Sequence, residues 1–332
     1  MVTVALNGFG RIGRNFLRAW LTHKTPHINL VAINIGPAST KDLVYAIRYD
    51  TLMGPLPQMP ITFENNILTI DNHKITIFAQ ADPTQLPWHD LHIDWIIDAT
   101  GKFTQRALAQ KHQQAGAKKV LITAPAPDPD VTIIPGVNDS AYKKEYTIVS
   151  LGSCTTNAIV PMIHVINQLT TIEHIAFTTV HAYTNTQVLL DLENKSTRLS
   201  RAAAINMIPT TTGATQVVDK IFPQLAGKII GNSIRVPITK VSLIDAVLIT
   251  HDTLSTKIIN QAFETAQNNK LKNILSITHD PVVSSDFTND AHSVIIDGLL
   301  TQCQDNITKV FGWYDNEWAY SMRLIDFLSN HG

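Results

Sequence analysis

Cysteine is scarce in this chain: Cys154 and Cys303 are the two in 332 residues. Two thiols cannot build a disulfide framework, so the fold has to be held by its core. Net charge is scarce as well. Twenty-six Lys and Arg stand against 27 Asp and Glu, and charged residues make up 16% of the sequence. A near-neutral chain lacks the electrostatic footprint of a nucleic-acid or membrane-surface binder, and neither partner is expected. No apolar run approaches the roughly 20 residues that span a bilayer. The opening MVTVALNGFG reads as a strand and a turn, without the basic segment and apolar core of a signal peptide. Internal repeats and low-complexity segments are missing too. Together these absences lead to the expectation of a soluble, cytoplasmic protein.

What is present is a chain long enough for two domains, with 44% hydrophobic residues to fill their cores. Val2 to Leu6 is a β-branched, apolar run that leads into Gly8-Phe9-Gly10-Arg11-Ile12-Gly13. A helical pattern follows to about His23, and His27 to Asn34 reads as a second buried strand. Strand, glycine turn, helix and strand within about 30 residues is the setting that a dinucleotide fingerprint requires. The glycines permit a tight turn, close approach of a pyrophosphate and close helix packing, and the helix N-terminus faces the phosphates. Gly8, Phe9, Gly10, Arg11 and Ile12 are therefore candidate cofactor contacts. The carboxylate that would hold the adenosine ribose after the second strand is missing, because Asn34 is followed by Ile35-Gly36-Pro37-Ala38-Ser39-Thr40-Lys41. Either NAD binds with a weaker ribose contact, or Ser39, Thr40 and Lys41 receive the 2′-phosphate of NADP.

Asp50 to Pro87 reads as a β-rich excursion, with runs at Pro60–Phe63, Ile67–Ile70 and Ile75–Phe78. The alternating pattern then resumes: a strand at Trp95–Asp98, a helix at Arg106–Ala115 and a strand at Lys119–Thr123. In an open parallel sheet, ligands lie at the carboxyl ends of strands. Thr100, Gly101 and Thr123 are there either as cofactor contacts or as plain turn residues.

Thr147 to Leu151 is a β-run and Ala158 to Leu169 has helical apolar spacing, so Cys154 in Ser153-Cys154-Thr155-Thr156-Asn157 falls where a strand gives way to a helix. The N–H groups of a helix start carry partial positive charge and favour a thiolate. The competing reading is a buried, inert cysteine. Glu173 to Val180 reads as a strand that delivers His181, 27 residues after Cys154. A cysteine at a helix start and a histidine at a strand end can meet as a nucleophile and its base.

At this point the chain resembles the phosphorylating glyceraldehyde-3-phosphate dehydrogenases. The resemblance is carried by Asn7–Arg14, SCTTN at 153–157, HAYTN at 181–185, RAAAINMIPTTTGA at 201–214, IRVP at 234–237 and WYDNEW at 313–318, in the family's order and over nearly the whole chain. It implies an α/β fold, with a Rossmann-like dinucleotide-binding domain over residues 1–153. An α+β catalytic domain on a mixed or antiparallel sheet follows over 154–316, and a terminal helix over 317–332 rejoins the first domain. It implies that Cys154 attacks an aldehyde and that His181 moves protons. Thr184 and Arg235 would bind the substrate phosphate. Ser153, Thr155, Thr212 and Gly213, with Arg198 assisting, would bind inorganic phosphate. Asn34, Asn316 and Tyr320 join the cofactor contacts, Asn316 at the nicotinamide carboxamide and Tyr320 beside the ring. Glyceraldehyde 3-phosphate and phosphate are the implied small-molecule partners and NAD or NADP the cofactor. A loop over Leu189–Pro209 implies a homotetramer.

Some positions depart from the family's pattern. The carboxylate after Asn34 is absent, Ala81 stands where Arg is usual, and Leu192-Glu193 replaces Leu-Pro. These three bear on the adenosine end and leave the choice between NAD and NADP open. Ala158 replaces a common second cysteine, and Ala319 and Met322 alter the stretch after WYDNEW. The alternatives to this family are its sister, erythrose-4-phosphate dehydrogenase, and a catalytically idle nucleotide-binding scaffold. The complete Cys154, His181 and Arg235 set speaks against the scaffold, and the intact TTTGA stretch against the sister enzyme.

Overall fold

The structure is a computed structural model and describes every residue except Lys24 and Lys195. Strand β1 (Val2–Asn7) is buried on both faces, the condition of a parallel strand covered by helices on each side. Helix α1 (Arg11–Thr22) follows the glycine turn, buries Phe16, Leu17, Ala19 and Trp20, and returns the chain to β2 (Ile28–Asn34), parallel to β1. Helix α2 (Leu43–Arg48) precedes a meander of β3 (Ile61–Glu64), β4 (Ile67–Ile70) and β5 (His73–Phe78). Its last strand pairs parallel to β2, so the β-rich excursion widens the first sheet instead of forming a layer of its own. Strand β6 (Trp95–Asp98), helix α3 (Arg106–Gln114) and strands β7 (Lys119–Ile122), β8 (Val131–Thr132) and β9 (Ile148–Ser150) complete it. Among the described residues this sheet has nine strands in the order β3-β4-β5-β2-β1-β6-β7-β9-β8. The strand order reverses between β1 and β6, the topological switch point at which such sheets bind ligands.

The second half opens with α4 (Cys154–Asn167), a helix buried on nearly every side, with Ala158 to Ile163 all in the core. It packs against a mixed sheet made of β10 (Ile172–Ala182), β11 (Ile208–Thr210), β12 (Ile229–Val236), β13 (Ser242–Thr250), β14 (Leu275–Thr278), β15 (Val294–Asp297), β16 (Gln302–Gln304) and β17 (Ile307–Tyr314). Burial alternates strictly along β13, with one face on the core. The order is β11-β12-β10-β13-β17-β15-β14, with β16 paired to β17 off this path. The β10–β12 and β14–β15 pairs are parallel and the others antiparallel. Helices α5 (Ala214–Ile221) and α6 (Thr256–Asn268) lie between strands in sequence, and α7 (Trp318–His331) ends the chain.

The chain divides into two compact units, one of residues 1–133, 140–152 and 321–332, the other of residues 134–139 and 153–320. The division differs from the expected one at 134–139, because Ile134 packs into the core of the second unit. It differs again in the terminal helix, whose first residues, Trp318 to Tyr320, stay with the second unit. Further along α7, Phe327 meets Trp95 edge-on at 5.5 Å. The 189–209 stretch contains two short 3-10 turns, Arg198–Ser200 and Ala203–Ile205, and ends in β11. Lys195, inside that stretch, lies outside the described residues.

Candidate active site

The glycine turn is built as a nucleotide site requires. Gly8 has φ +98°, and a Cβ there would stand 2.8 Å from Thr100 Cγ2, so the turn after β1 packs directly on the turn after β6. A Cβ on Gly13 would stand 2.2 Å from the Gly8 carbonyl oxygen, which locks α1 against its own entry turn. Gly10, by contrast, faces open space at the start of α1. That leaves an open cradle at a helix N-terminus, where backbone N–H groups favour an anion. Phe9 is held from behind: its carbonyl accepts from Arg14 Nε at 3.1 Å. Ile12 is half-buried, on the first turn of α1. The Arg11 guanidinium is engaged by the buried Asp50 carboxylate.

Asn34, expected as a cofactor contact, differs in its side chain from that expectation. Its Nδ2 donates to Asn7 Oδ1 at 2.7 Å and to the Gln80 carbonyl at 2.9 Å, and its Oδ1 accepts from Gln80 N at 2.9 Å. The amide is buried and spent on the protein. Asn34, Asn7 and Asp98 share one register across β2, β1 and β6, which makes them a polar row under the strand ends. Asp98 Oδ2 accepts from Asn7 Nδ2 at 2.8 Å, and its Oδ1 accepts from the Thr100 N–H at 3.1 Å and hydroxyl at 2.7 Å. Trp88 donates its indole N–H to His112 Nδ1 at 3.2 Å, leaving His112 Nε2 to face Asp98 at 3.2 Å. Thr100 is thereby fixed. Gly101, at φ +67°, is exposed just beyond it, and Thr123 N donates to the Asp98 carbonyl at 3.0 Å.

In the second unit, Ser153 caps α4. Its Oγ accepts from Thr156 N at 3.2 Å, while Thr156 Oγ1 accepts from Ser153 N at 2.6 Å, a reciprocal capping box. The cap fixes Cys154 as the first residue of the helix. Cys154 Sγ lies 3.6 Å from His181 Nε2. The expectation of a depressed thiol is corrected here. Burial pushes the Cys154 thiol up from its ordinary value, and Arg235 and the hydrogen bonds of Thr155 and of the helix start pull the other way without overcoming it. His181 is held neutral, lowered to about 3 by its burial and then by the Arg235 guanidinium. Burial thus favours the uncharged form of each partner, and the imidazole is placed to accept the thiol's proton as attack proceeds.

His181 is the penultimate residue of β10 and is 3% exposed. Its Nδ1 lies 2.6 Å from the Ala182 carbonyl oxygen and also meets Arg235 Nη1, which itself lies 3.2 Å from the same oxygen. The Tyr314 ring stands edge-on to His181 at 5.9 Å, and its hydroxyl joins Thr179 Oγ1 at 2.7 Å and Thr155 Oγ1 at 3.0 Å. This second layer is not among the residues that the sequence singles out. Its available signal was the spacing of Thr179 and His181, two residues apart and so on the same face of β10.

The other expected residues sit in their own turns. The Thr184 hydroxyl meets Thr186 Oγ1 at 2.9 Å and Gln187 Oε1 at 3.2 Å. Thr212 Oγ1 accepts from Ala214 N at 3.2 Å, and Gly213 is the exposed N-cap of α5. Arg198 is exposed in its 3-10 turn. Asn316 is buried, and its Oδ1 accepts from Ser242 Oγ at 3.4 Å; Tyr320 is buried on α7. Among the described residues, no group of His, Cys, Asp and Glu could hold a metal ion.

A nucleotide-binding sheet and a cysteine facing a buried histidine in one chain define the class, a nucleotide-dependent oxidoreductase. Comparison with known proteins makes this specific. The glyceraldehyde 3-phosphate dehydrogenase NAD binding domain family matches residues 2–106, and the C-terminal domain family of the same enzyme matches residues 153–316. The chain is 43% identical over 332 residues to the glyceraldehyde-3-phosphate dehydrogenase of Kitasatospora aureofaciens, covering 99% of this chain and 98% of that protein. It is 42% identical over 327 residues to the chloroplastic glyceraldehyde-3-phosphate dehydrogenase A of Chlamydomonas reinhardtii, covering 98% of this chain and 87% of that protein. It is 42% identical over 328 residues to glyceraldehyde-3-phosphate dehydrogenase 2 of Streptomyces avermitilis, covering 98% and 97%. The chain belongs to the glyceraldehyde 3-phosphate dehydrogenase family.

Proposed function

We infer that the chain oxidises D-glyceraldehyde 3-phosphate in the presence of inorganic phosphate to 1,3-bisphosphoglycerate, a step shared by glycolysis and gluconeogenesis. The observation that carries this reading is Cys154 Sγ at 3.6 Å from His181 Nε2, with Arg235 against the same imidazole. Cys154 forms a C–S bond to the aldehyde carbon while its proton passes to His181 Nε2, giving a thiohemiacetal. The Cys154 N–H and the protonated imidazole stabilise the oxygen as charge develops on it. His181 gives this proton to the oxygen to complete the thiohemiacetal and takes it back as the carbon is oxidised; NAD or NADP, held at the glycine cradle, would supply the hydride acceptor. A phosphate oxygen attacks the resulting thioester, the C–S bond breaks, and His181 returns a proton to the departing sulfur. Covalent catalysis divides one difficult oxidation into two easier steps.

In this reading Thr184 and Arg235 hold the substrate phosphate, and Ser153, Thr155, Thr212 and Gly213, with Arg198, the attacking phosphate. Hydroxyls, a helix-start N–H and a guanidinium suit a tetrahedral oxyanion. The cradle at Gly8, Phe9, Gly10, Arg11 and Ile12, with Thr100, Gly101 and Thr123, serves the cofactor phosphates and ribose, Asn316 the carboxamide and Tyr320 the ring. The assembly is a homotetramer in this reading. Its support is the cluster Leu189, Leu190, Leu192, Ile205 and Met207, exposed at 67–79%, which is apolar surface suited to another copy. Cytoplasmic placement is supported by two unpaired cysteines, and among the described residues no helix is long and apolar enough to cross a membrane.

Initial rates with glyceraldehyde 3-phosphate, with NAD and NADP in parallel and with and without phosphate, test the reading. Phosphate-dependent reduction supports it, and the ratio of the two cofactor rates measures what the missing carboxylate after Asn34 does. Reduction without phosphate dependence would move the assignment to erythrose 4-phosphate. Light scattering that finds a monomer would remove the tetramer.

A further inference from the structure

Asp315, Asn316 and Glu317 join β17 to α7. Asn316, in the middle, is the residue assigned to the cofactor carboxamide, and its neighbours are tied down by an ion pair that the mechanism does not use. The Asp315 carboxylate is fully buried and lies 3.0 Å from Lys240 Nζ, which is buried as well. Asp315 Oδ2 also accepts from Asn289 N at 2.8 Å, and Oδ1 accepts from Glu317 N at 3.0 Å and Trp318 N at 2.9 Å. Lys240 Nζ donates in turn to Asn289 Oδ1 at 2.6 Å. The backbone is thus held on both sides of Asn316 by one carboxylate whose charge is balanced inside the protein.

A buried ion pair adds little to stability, because desolvating two charges offsets their attraction. Hydrogen bonds to a charged group are nevertheless stronger than neutral ones, and here they keep the turn in one geometry. The Asn316 side chain is set separately. Its Oδ1 accepts from Ser242 Oγ at 3.4 Å, and the same Oγ accepts from Ala182 N, beside His181, at 3.1 Å. With the Ala182 N–H on its acceptor side, Ser242 has its own proton for Asn316 Oδ1, and the amide presents Nδ2 on its other side. Half a turn of a nicotinamide about its glycosidic bond moves the carboxamide and exchanges the two ring faces. A donor held in one place selects one of them.

We propose that Lys240 and Asp315 are positioning residues that, with Ser242, fix Asn316 and so decide which face of the nicotinamide meets the thiohemiacetal carbon. They act through Asn316 rather than on the cofactor. With the pair intact, the thiohemiacetal carbon delivers its hydride to one face of C4. With the pair broken, the turn loosens, Asn316 no longer holds the carboxamide in one place, and both faces are met. This rests on the assignment of Asn316 to the carboxamide.

The test uses the whole enzyme and glyceraldehyde 3-phosphate deuterated at the aldehyde carbon. Proton NMR of the reduced cofactor reads which C4 position carries deuterium. Wild type should place it on one face. Lys240→Met should place a measurable share on the other and lower kcat by up to about 100-fold, the cost of a small misplacement, with KM for glyceraldehyde 3-phosphate near wild type. In the cofactor-free enzyme, hydrogen exchange at the Glu317 and Trp318 amides, read by mass spectrometry, should quicken while α4 stays unchanged. Asp315→Asn should show the same effects, and it carries the test if the Lys240 variant does not fold. Asn316→Ala separates the two layers and should itself spread deuterium over both faces. If Asn316→Ala keeps one-face transfer and normal kcat, the carboxamide assignment falls and the proposal with it. If Asn316→Ala loses them while Lys240→Met and Asp315→Asn keep one-face transfer, the assignment stands and the proposal is overturned.

Discussion

Arg235 stands directly opposite His181 in the parallel pairing of β10 and β12. The contact between their side chains is therefore written into the backbone register. A one-residue slip would carry Arg235 to the other face of the sheet. Thr179, two residues before His181, pairs with Ser233 in the same ladder and reaches Tyr314 from the same face. The imidazole is thus held by the sheet, and Cys154 is brought to it by a capped helix.

Replacing Cys154 with Ala should abolish oxidation, by on the order of 10⁴-fold or more, as removal of a catalytic nucleophile does. Cofactor affinity should stay near wild type, because the glycine cradle belongs to a separate set of residues. Steady-state turnover and a fluorescence titration with cofactor check both halves, and retained turnover would remove Cys154 from the mechanism.

His181 should make the fold sensitive to acid. Its folded-state value of about 3 lies below its ordinary 6.5, so the unfolded chain binds the proton first. The stabilising effect of a neutral His181 is complete above pH 6.5 and is lost as pH falls from there towards 3. His181→Gln should lose about 1 kcal/mol less stability than wild type between pH 7.5 and 5.5. Urea unfolding at the two pH values measures it, and parallel losses in both proteins would contradict the assignment of a buried neutral imidazole.

Thr156→Val removes the hydroxyl that accepts from Ser153 N while preserving shape. Loss of this half of the capping box should cost about 0.5–2 kcal/mol, and Thr156→Ser should restore most of it. Because the cap fixes the first turn of α4, kcat should fall in the Val variant and recover in the Ser variant. A Val variant with unchanged unfolding midpoint would show that the cap contributes nothing.

Gly13→Ala should weaken cofactor binding. The added methyl would lie 2.2 Å from the Gly8 carbonyl oxygen, which is backbone and cannot swing aside. Helix α1 must therefore draw away from the turn, at a cost of about 1–3 kcal/mol typical of overpacking. Calorimetric titration with NAD and NADP reads the effect, which should be a clear loss for both. Unchanged affinity for either would mean that the cradle does not hold the cofactor phosphates.

Much of this protein was legible because its signals are local. The strand, glycine turn and helix at its start are specified by residues within one short stretch, and so is Cys154 at a helix start. Other features were not legible because they depend on groups far apart in sequence. Asn34 read as a ligand of the cofactor, yet its amide is consumed by Asn7 and Gln80. The Cys154 thiol read as activated by its helix, yet burial outweighs the helix start and Arg235. Nothing near Tyr314 in sequence signals that its hydroxyl closes a bridge between Thr155 and Thr179.

The sequence by itself determined which residues could do chemistry and which elements would carry them, since helix starts, strand alternation and glycine turns are set by near neighbours. Only the tertiary structure decided which charge each group carries and which proton it can move. Those depend on desolvation and on partners such as Arg235, which reach the site only when strands distant in the chain pair in a particular register.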